Sequence, residues 1–100
     1  MNKLYPSVQI LLSTYNGEKY VREQLDSLKN QDYPNIKVKI RDDGSTDSTV
    51  ELISKYITDN KLDWELSKDE NIGVVKSFFW LLFNASQKID FYSFCDQDDY

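Results

Sequence analysis

Two acidic segments carry the residue types from which chemistry can be built: Asp42-Asp43-Gly44-Ser45 and Asp96-Gln97-Asp98-Asp99. The second sets three carboxylates within four residues, directly after the apolar run Phe91-Tyr92-Ser93-Phe94. Like charges packed so closely repel one another and are tolerated where solvent or a divalent cation neutralises them. Oxygen donors of this kind suit magnesium, manganese or calcium, not zinc. A solvated acidic loop is the plain alternative, but the apolar strand ahead of the cluster favours a metal site at a sheet edge. In the first segment a carboxylate can accept hydrogen bonds from a base N–H or from ribose hydroxyls. Gly44 would let the backbone turn tightly and come close to a ligand. A helix N-cap is the competing role for Asp42-Asp43, although a cap needs only one carboxylate.

Three further groups are candidates. Asn71-Ile72-Gly73 followed by Lys76 offers a helix N-terminus and a cation, which suit a diphosphate; an ordinary capped helix with a surface lysine reads the same way. Tyr15 can stack on a base or serve as a plain core aromatic. Ser13, Thr14 and Asn16 surround it in a short polar stretch. There is no G-x-G-x-x-G and no G-K-[ST], so dinucleotide and P-loop classes are unsupported.

These groups need a frame to bring them together. Val8 to Ser13 reads as a mostly buried strand, broken by Asn16-Gly17. Val21, Leu25 and Leu28 then recur at helical spacing. Tyr33-Pro34-Asn35 turns the chain, after which Ile36, Val38 and Ile40 alternate with Lys37, Lys39 and Arg41. That alternation predicts a strand with one charged face, half-covered or lined by snorkelling lysine stems. Ser48-x-x-Glu51 has the form of a capping box for a second helix with inner stripe Val50, Ile53 and Ile57. A short third strand is expected from Leu62 to Leu66, a third helix from Val74 through Ala85, and a fourth strand from Phe91 to Cys95.

Strands alternating with helices predict an α/β layer architecture with parallel strands joined by right-handed crossovers. The carboxyl ends of such strands share one edge, where these sheets bind ligands. Each polar cluster falls after a predicted strand: Ser13 to Asn16, Asp42-Asp43, Ser67 to Asn71, and Asp96 to Asp99.

Composition narrows the classes. The chain has 100 residues, 40% of them apolar and 14% aromatic, enough for a packed core in one small domain. Its net charge of −5 and the lack of a basic stripe argue against a nucleic-acid partner. An anionic ligand would need a metal to mediate. Cys95 is the single cysteine and there is no histidine, so a buried strand cysteine is a better reading than a catalytic thiol. No signal-peptide pattern and no run of membrane-spanning length occurs, so the expected location is cytoplasmic.

Four segments then match a family pattern in order: VQILLSTYNG from Val8, IRDDGSTDST from Ile40, NIGVVKSF from Asn71 and FCDQDD from Phe94. They resemble the family-2 nucleotide-sugar glycosyltransferases, inverting enzymes with the A-type glycosyltransferase fold. IRDDGSTD and CDQDD look most like bacterial rhamnosyltransferase-like members. The resemblance covers essentially the whole chain and implies a three-layer α/β/α architecture with a mostly parallel sheet. It implies transfer of a sugar from a nucleotide diphosphate sugar to a hydroxyl on a glycan or lipid-linked acceptor, in bacterial cell-surface polysaccharide synthesis, with Mg2+ or Mn2+. Carried over by position, Ser13 and Tyr15 would border the nucleobase, with Thr14 and Asn16 shaping the loop. Asp43 would bind base or ribose, supported by Asp42. Lys76 would lie near the diphosphate, a loose match. Asp98 would be the main metal ligand, Asp96 would face ribose or metal, and Asp99 would orient the neighbouring loop. Full family members run well past Tyr100, and the later part carries the acceptor site and an acidic general base. Residues 1–100 are therefore expected to form a single domain, the N-terminal donor-binding part, with no catalytic residue and no turnover of its own. Membrane-face attachment would come through the further portion. Apolar surface around Trp80 and Phe83, normally covered by that portion, would drive homodimerisation.

Other classes fit less well. A nucleotidyltransferase would show a Gly-rich, lysine-bearing loop where Ser13-Thr14-Tyr15-Asn16-Gly17 stands. A phospho-receiver domain needs its acidic pair after strand one and a further aspartate after strand three. A metal-dependent nucleotide-binding module or nucleotidyltransferase-like domain, without transferase activity, remains as the alternative.

Overall fold

A computed structural model describes residues 6–31, 33–85, 89 and 91–96. The elements run β1 Val8–Thr14, α1 Val21–Lys29, β2 Ile36–Asp43, α2 Thr49–Asp59, β3 Glu65–Asp69, α3 Val74–Phe83 and β4 Phe91–Asp96. The sheet order is β3-β2-β1-β4, and every neighbouring pair is parallel. The chain steps from β1 to β2 to β3 in one direction, then returns to lay β4 on the other side of β1. Right-handed crossovers taken in opposite directions put their helices on opposite faces. Hence α1 and α2 pack together on one face, while α3 lies across β1 and β2 on the other. The expected three-layer α/β/α architecture results.

The main core lies between the sheet and the α1/α2 layer. Ile10 and Leu12 of β1, with Val38 and Ile40 of β2, meet Val21, Leu25 and Leu28 of α1 and Ile53 and Tyr56 of α2. Burying each such aliphatic side chain contributes about 1.5–3 kcal/mol. The stripe Val21, Leu25, Leu28 is the buried face of α1, as its spacing predicts. Cys95 packs against this core and accepts a hydrogen bond from Gln24 Nε2.

The charged face of β2 departs from expectation. Lys39 and Arg41 are buried, at 7% and 2% exposure, because the reversed crossover lays α3 over them. Their charges are matched: Lys39 Nζ lies 2.9 Å from Glu65 Oε1, and Arg41 Nη1 lies 2.7 Å from Asp43 Oδ1. The Trp80 ring of α3 lies against both cations, 5.8 Å from Lys39 Nζ and 5.5 Å from the Arg41 guanidinium carbon.

The buried stripe of α2 is Thr49, Ile53 and Tyr56, not Val50, Ile53 and Ile57. Val50 and Ile57 are only half-buried. Tyr56 holds its inward position by stacking on Trp64 and by donating its hydroxyl to Asp26 Oδ1 of α1. Burial and that carboxylate push the Tyr56 phenol up to about 12. Ser48 occupies the N-cap position of α2 but its side chain makes no capping bond. Asp47 does so instead, accepting from Thr49 N at 2.9 Å and from the Thr49 hydroxyl. The third strand begins three residues later than expected. Lys61 adopts a positive φ of 53° and Leu62 N bonds to Ile57 O, so this stretch closes α2 before pairing begins.

Candidate functional site

Parallel strands end on one rim, and here those ends are Thr14, Asp43, Asp69 and Asp96. The order in which strands are added reverses at β1, which has β2 on one side and β4 on the other. That switch point is where open α/β sheets form a ligand crevice. The ladder sets Thr14 beside Asp42 and Ser13 beside Asp96. The strands carrying Asp43 and Asp96 therefore flank β1 and are about 10 Å apart at two strand spacings.

The loop after β1 is tied to the loop after β2. Asp42 is fully buried; its Oδ1 accepts from Thr14 Oγ1 at 2.8 Å and Ser45 Oγ at 2.6 Å, and its Oδ2 accepts from Ser45 N at 2.8 Å. Asn16, at φ 47°, accepts from Thr46 N through Oδ1 and donates its own N–H to Ser45 Oγ. Gly17 N donates to Thr49 Oγ1, and Glu18 N to Asp47 Oδ2. Thr14, Asn16 and Asp42 thus hold one loop against the other. Tyr15, between them in sequence, is 44% exposed at the rim.

Burial pushes the Asp47 carboxyl up, but bonds from Thr49 and Glu18 outweigh it and hold the group below its ordinary 3.8. Its contribution to stability is then complete above 3.8 and lost as pH falls through the lower folded value. Asp47→Ala should cost about 1 kcal/mol in urea melts at pH 7. The gap to wild type should close under acid.

Asp43 is 3% exposed and sits at the centre of a polar network on the α3 side of the sheet. Its Oδ1 accepts from Arg41 Nη1 at 2.7 Å and Ile72 N at 2.8 Å, and its Oδ2 from Gly73 N at 3.0 Å. Gly73 has φ 93° and ψ 155°, a conformation open essentially only to glycine, which turns both amides toward one carboxylate. Asn71 Nδ2 donates to Asp43 O at 3.1 Å. Arg41 Nη1 also reaches Ser77 Oγ at 3.1 Å, and Ser77 Oγ in turn bonds to Ser13 Oγ at 2.7 Å. Ser13, 4% exposed, therefore joins this buried network through its side chain. Lys76 is exposed in the first turn of α3, the helix end that meets the rim.

Among the described residues no group of three or more His, Cys, Asp or Glu side chains is arranged to hold a metal ion. The backbone of Asp96 reaches the rim, while Asp98 and Asp99 lie outside the described residues. The run Asp96-x-Asp98-Asp99 is an oxygen donor set, whose chemistry fits Mg2+ or Mn2+. Sequence reasoning did not single out Arg41, Ser77 or Asp47. For Arg41 the signal was present: it lies two residues before Asp43, so strand alternation puts both on one face.

A family model for Glycosyl transferase family 2 matches residues 9–100. Poly(ribitol-phosphate) beta-N-acetylglucosaminyltransferase TarS of Staphylococcus aureus is 39% identical over 95 residues, covering 91% of this chain and 16% of TarS. The crystal structure of TarS 1-349 in complex with UDP-GlcNAc has a TM-score of 0.80 to this chain, with 38% identity, covering 94% of this chain and 27% of that one; the complex with UDP has a TM-score of 0.79, covering 28% of that chain. EpsH of Bacillus subtilis is 31% identical over 96 residues, 95% of this chain and 27% of EpsH. The mannosyltransferase PcManGT of Pyrobaculum calidifontis, solved with GDP-Man and Mn2+, has a TM-score of 0.71 and 28% identity over 82% of this chain and 25% of that one. The chain thus spans about a quarter or less of these relatives. With its strand ends gathered on one rim and the family match running from the first strand through the acidic segment, this chain belongs to glycosyl transferase family 2.

Proposed function

We propose that this chain is the nucleotide-sugar-binding part of an inverting, metal-dependent glycosyltransferase, which moves a sugar from a nucleotide diphosphate sugar to a hydroxyl acceptor. The observation that carries the reading is the position of Asp43, clamped by three donors beside the switch point, with the backbone of Asp96 across β1 from it. The relatives solved with UDP-GlcNAc and with GDP-Man and Mn2+ support a nucleotide-sugar donor and a divalent ion. IRDDGSTD and CDQDD favour a rhamnosyltransferase-like site in bacterial surface polysaccharide synthesis, at the cytoplasmic face of the membrane.

In this reading Asp43 accepts a hydrogen bond from base or ribose, and Tyr15 borders the base. Ser13, Thr14, Asn16 and Asp42 hold the surrounding loops, and Lys76 with the α3 N-terminus faces the diphosphate. Asp98 and Asp96 would hold the metal, which when bound neutralises charge on the departing diphosphate. The acceptor hydroxyl is deprotonated by an acidic base supplied by the part of the relatives' length that this chain does not match.

The test is a titration of uridine and thymidine diphosphates, with and without Mn2+, followed by NMR and Trp fluorescence. Binding should require Mn2+ and shift the amides around Asp43, Ile72 and Gly73. Binding indifferent to metal sinks the metal assignment; shifts confined to surfaces away from the rim sink the donor site. The 100-residue chain alone should show no sugar transfer.

The outer face of α3 and β4 leaves Val75, Phe79, Leu82, Phe83 and Phe94 exposed. Val75, Phe78, Phe79, Leu82 and Phe94 line an apolar groove there. The chain by itself should therefore pair with a second copy as concentration rises. Light scattering that reports a monomer throughout would remove the dimer.

A further inference from the structure

We infer that Arg41, buried beneath the rim with its Nη1 on Asp43 Oδ1, is the positioning residue that orients Asp43 for ligand binding, an inference that rests on the donor-site reading above. Four groups, from strand, loop and helix, meet at this one side chain. Nη1 bonds to Asp43 at 2.7 Å and to Ser77 Oγ of α3 at 3.1 Å. Nη2 bonds to Glu70 O, just past β3, at 3.0 Å. The Trp80 ring lies 5.5 Å from the guanidinium carbon. The planar fork can serve strand, loop and helix at once, which a lysine ammonium cannot reproduce.

The consequence for Asp43 is directional. An ionised carboxylate offers about four acceptor positions. Arg41 Nη1 and Ile72 N occupy Oδ1, and Gly73 N takes one position on Oδ2. Among the described residues only Gly73 N donates to Oδ2, so a ligand would approach with an N–H or O–H on that side. Without Arg41, Ile72 N and Gly73 N still hold one bond on each oxygen, but the charge-assisted bond that fixes Oδ1 is lost. Arg41 also has a reserve: its Nε is buried without a hydrogen-bond partner among the described residues, 3.6 Å from Asp69 Oδ2. Asp69 is 40% exposed at the end of β3, so the same guanidinium faces two rim carboxylates.

The test compares wild type with Arg41→Lys and Arg41→Met, using uridine diphosphate with Mn2+ as the probe. Arg41→Met risks unfolding, because it leaves Asp43 buried without its cation. Arg41→Lys keeps the charge and supplies the folded variant, its fold verified by Trp fluorescence and amide dispersion. In the absence of nucleotide, the Ile72 and Gly73 amide resonances should move in Arg41→Lys. Affinity for uridine diphosphate should fall about tenfold at a temperature where the variant is fully folded. If Arg41→Met also folds, it should lose at least as much. Wild-type affinity in folded Arg41→Lys, or unmoved Ile72 and Gly73 amides, would overturn the positioning role while the donor-site reading stands. Failure of the wild type to bind would defeat that reading, and the positioning role with it.

Discussion

Asp43→Ala should lose about 3–5 kcal/mol of stability, the cost of breaking a buried ion pair and leaving Arg41 only the partly exposed Asp69 at 3.6 Å. The side chains of Arg41 and Asp43 are 2% and 4% exposed, so water cannot take over from the missing carboxylate. The amides of Ile72 and Gly73 lose their acceptor in the same step. A domain has about 5–15 kcal/mol in total, so one at the lower end of that range would keep about 2 kcal/mol or less. Urea melts followed by Trp fluorescence check this, since Trp80 lies against Arg41. Asp43→Asn keeps one carbonyl acceptor and should lose less. Replacing Arg41 and Asp43 together by Met and Leu should recover much of the loss, because a buried pair exchanged for apolar groups is often neutral. A loss below about 1 kcal/mol for Asp43→Ala would mean the pair is solvated in solution. Asp43 would then not be held rigidly at the rim.

Gly44→Ala should be nearly as damaging without removing any hydrogen-bonding side chain. Gly44 has φ +80°, and a Cβ there would lie 2.8 Å from Asn71 N, a backbone atom that cannot swing aside. Left-handed backbone at a residue with a Cβ costs about 1–2 kcal/mol, and forced displacement of packed neighbours about 1–3 kcal/mol more. At roughly 4–8 °C per kcal/mol for a domain of this size, the melting temperature should drop by more than about 10 °C. The strain falls where the β2–α2 loop meets the segment leading into α3. Nucleotide binding should therefore weaken further than the unfolded fraction explains. Thermal melts and the same titration, run where the variant is fully folded, separate the two effects. A melting temperature within about 3 °C of wild type would show that the two loops part easily, against the close approach seen at Gly44.

Asp43 and Gly44 illustrate how unevenly the site was legible. Their types and adjacency in the sequence signal a turn and an acceptor. Nothing in the spacing showed that the Gly44 turn presses on Asn71, or that Ile72 and Gly73 both donate to Asp43. Those contacts join residues about thirty apart, and chain separation on that scale leaves no periodic trace in a single sequence. The stripe of α2 slipped for a related reason. Val50 and Ile57 look the better core residues by composition, but Tyr56 is drawn inward by Trp64 and by Asp26 on another helix.

What the chain determined by itself was its class and the address of its polar groups. Apolar periodicity set the order of strands and helices, and parallel right-handed connections then required the strand ends to share a rim. The division of α1 and α2 from α3 was decided only by tertiary structure, through the return of the chain past β2 and β1 to β4. That return buried Lys39 and Arg41, read from sequence as part of a half-covered or snorkelling charged face, in a network with Asp43 under α3. Local pattern records which side chains alternate; whether a face meets water or a helix depends on where the next crossover lands, a property of the whole sheet and not of any one strand.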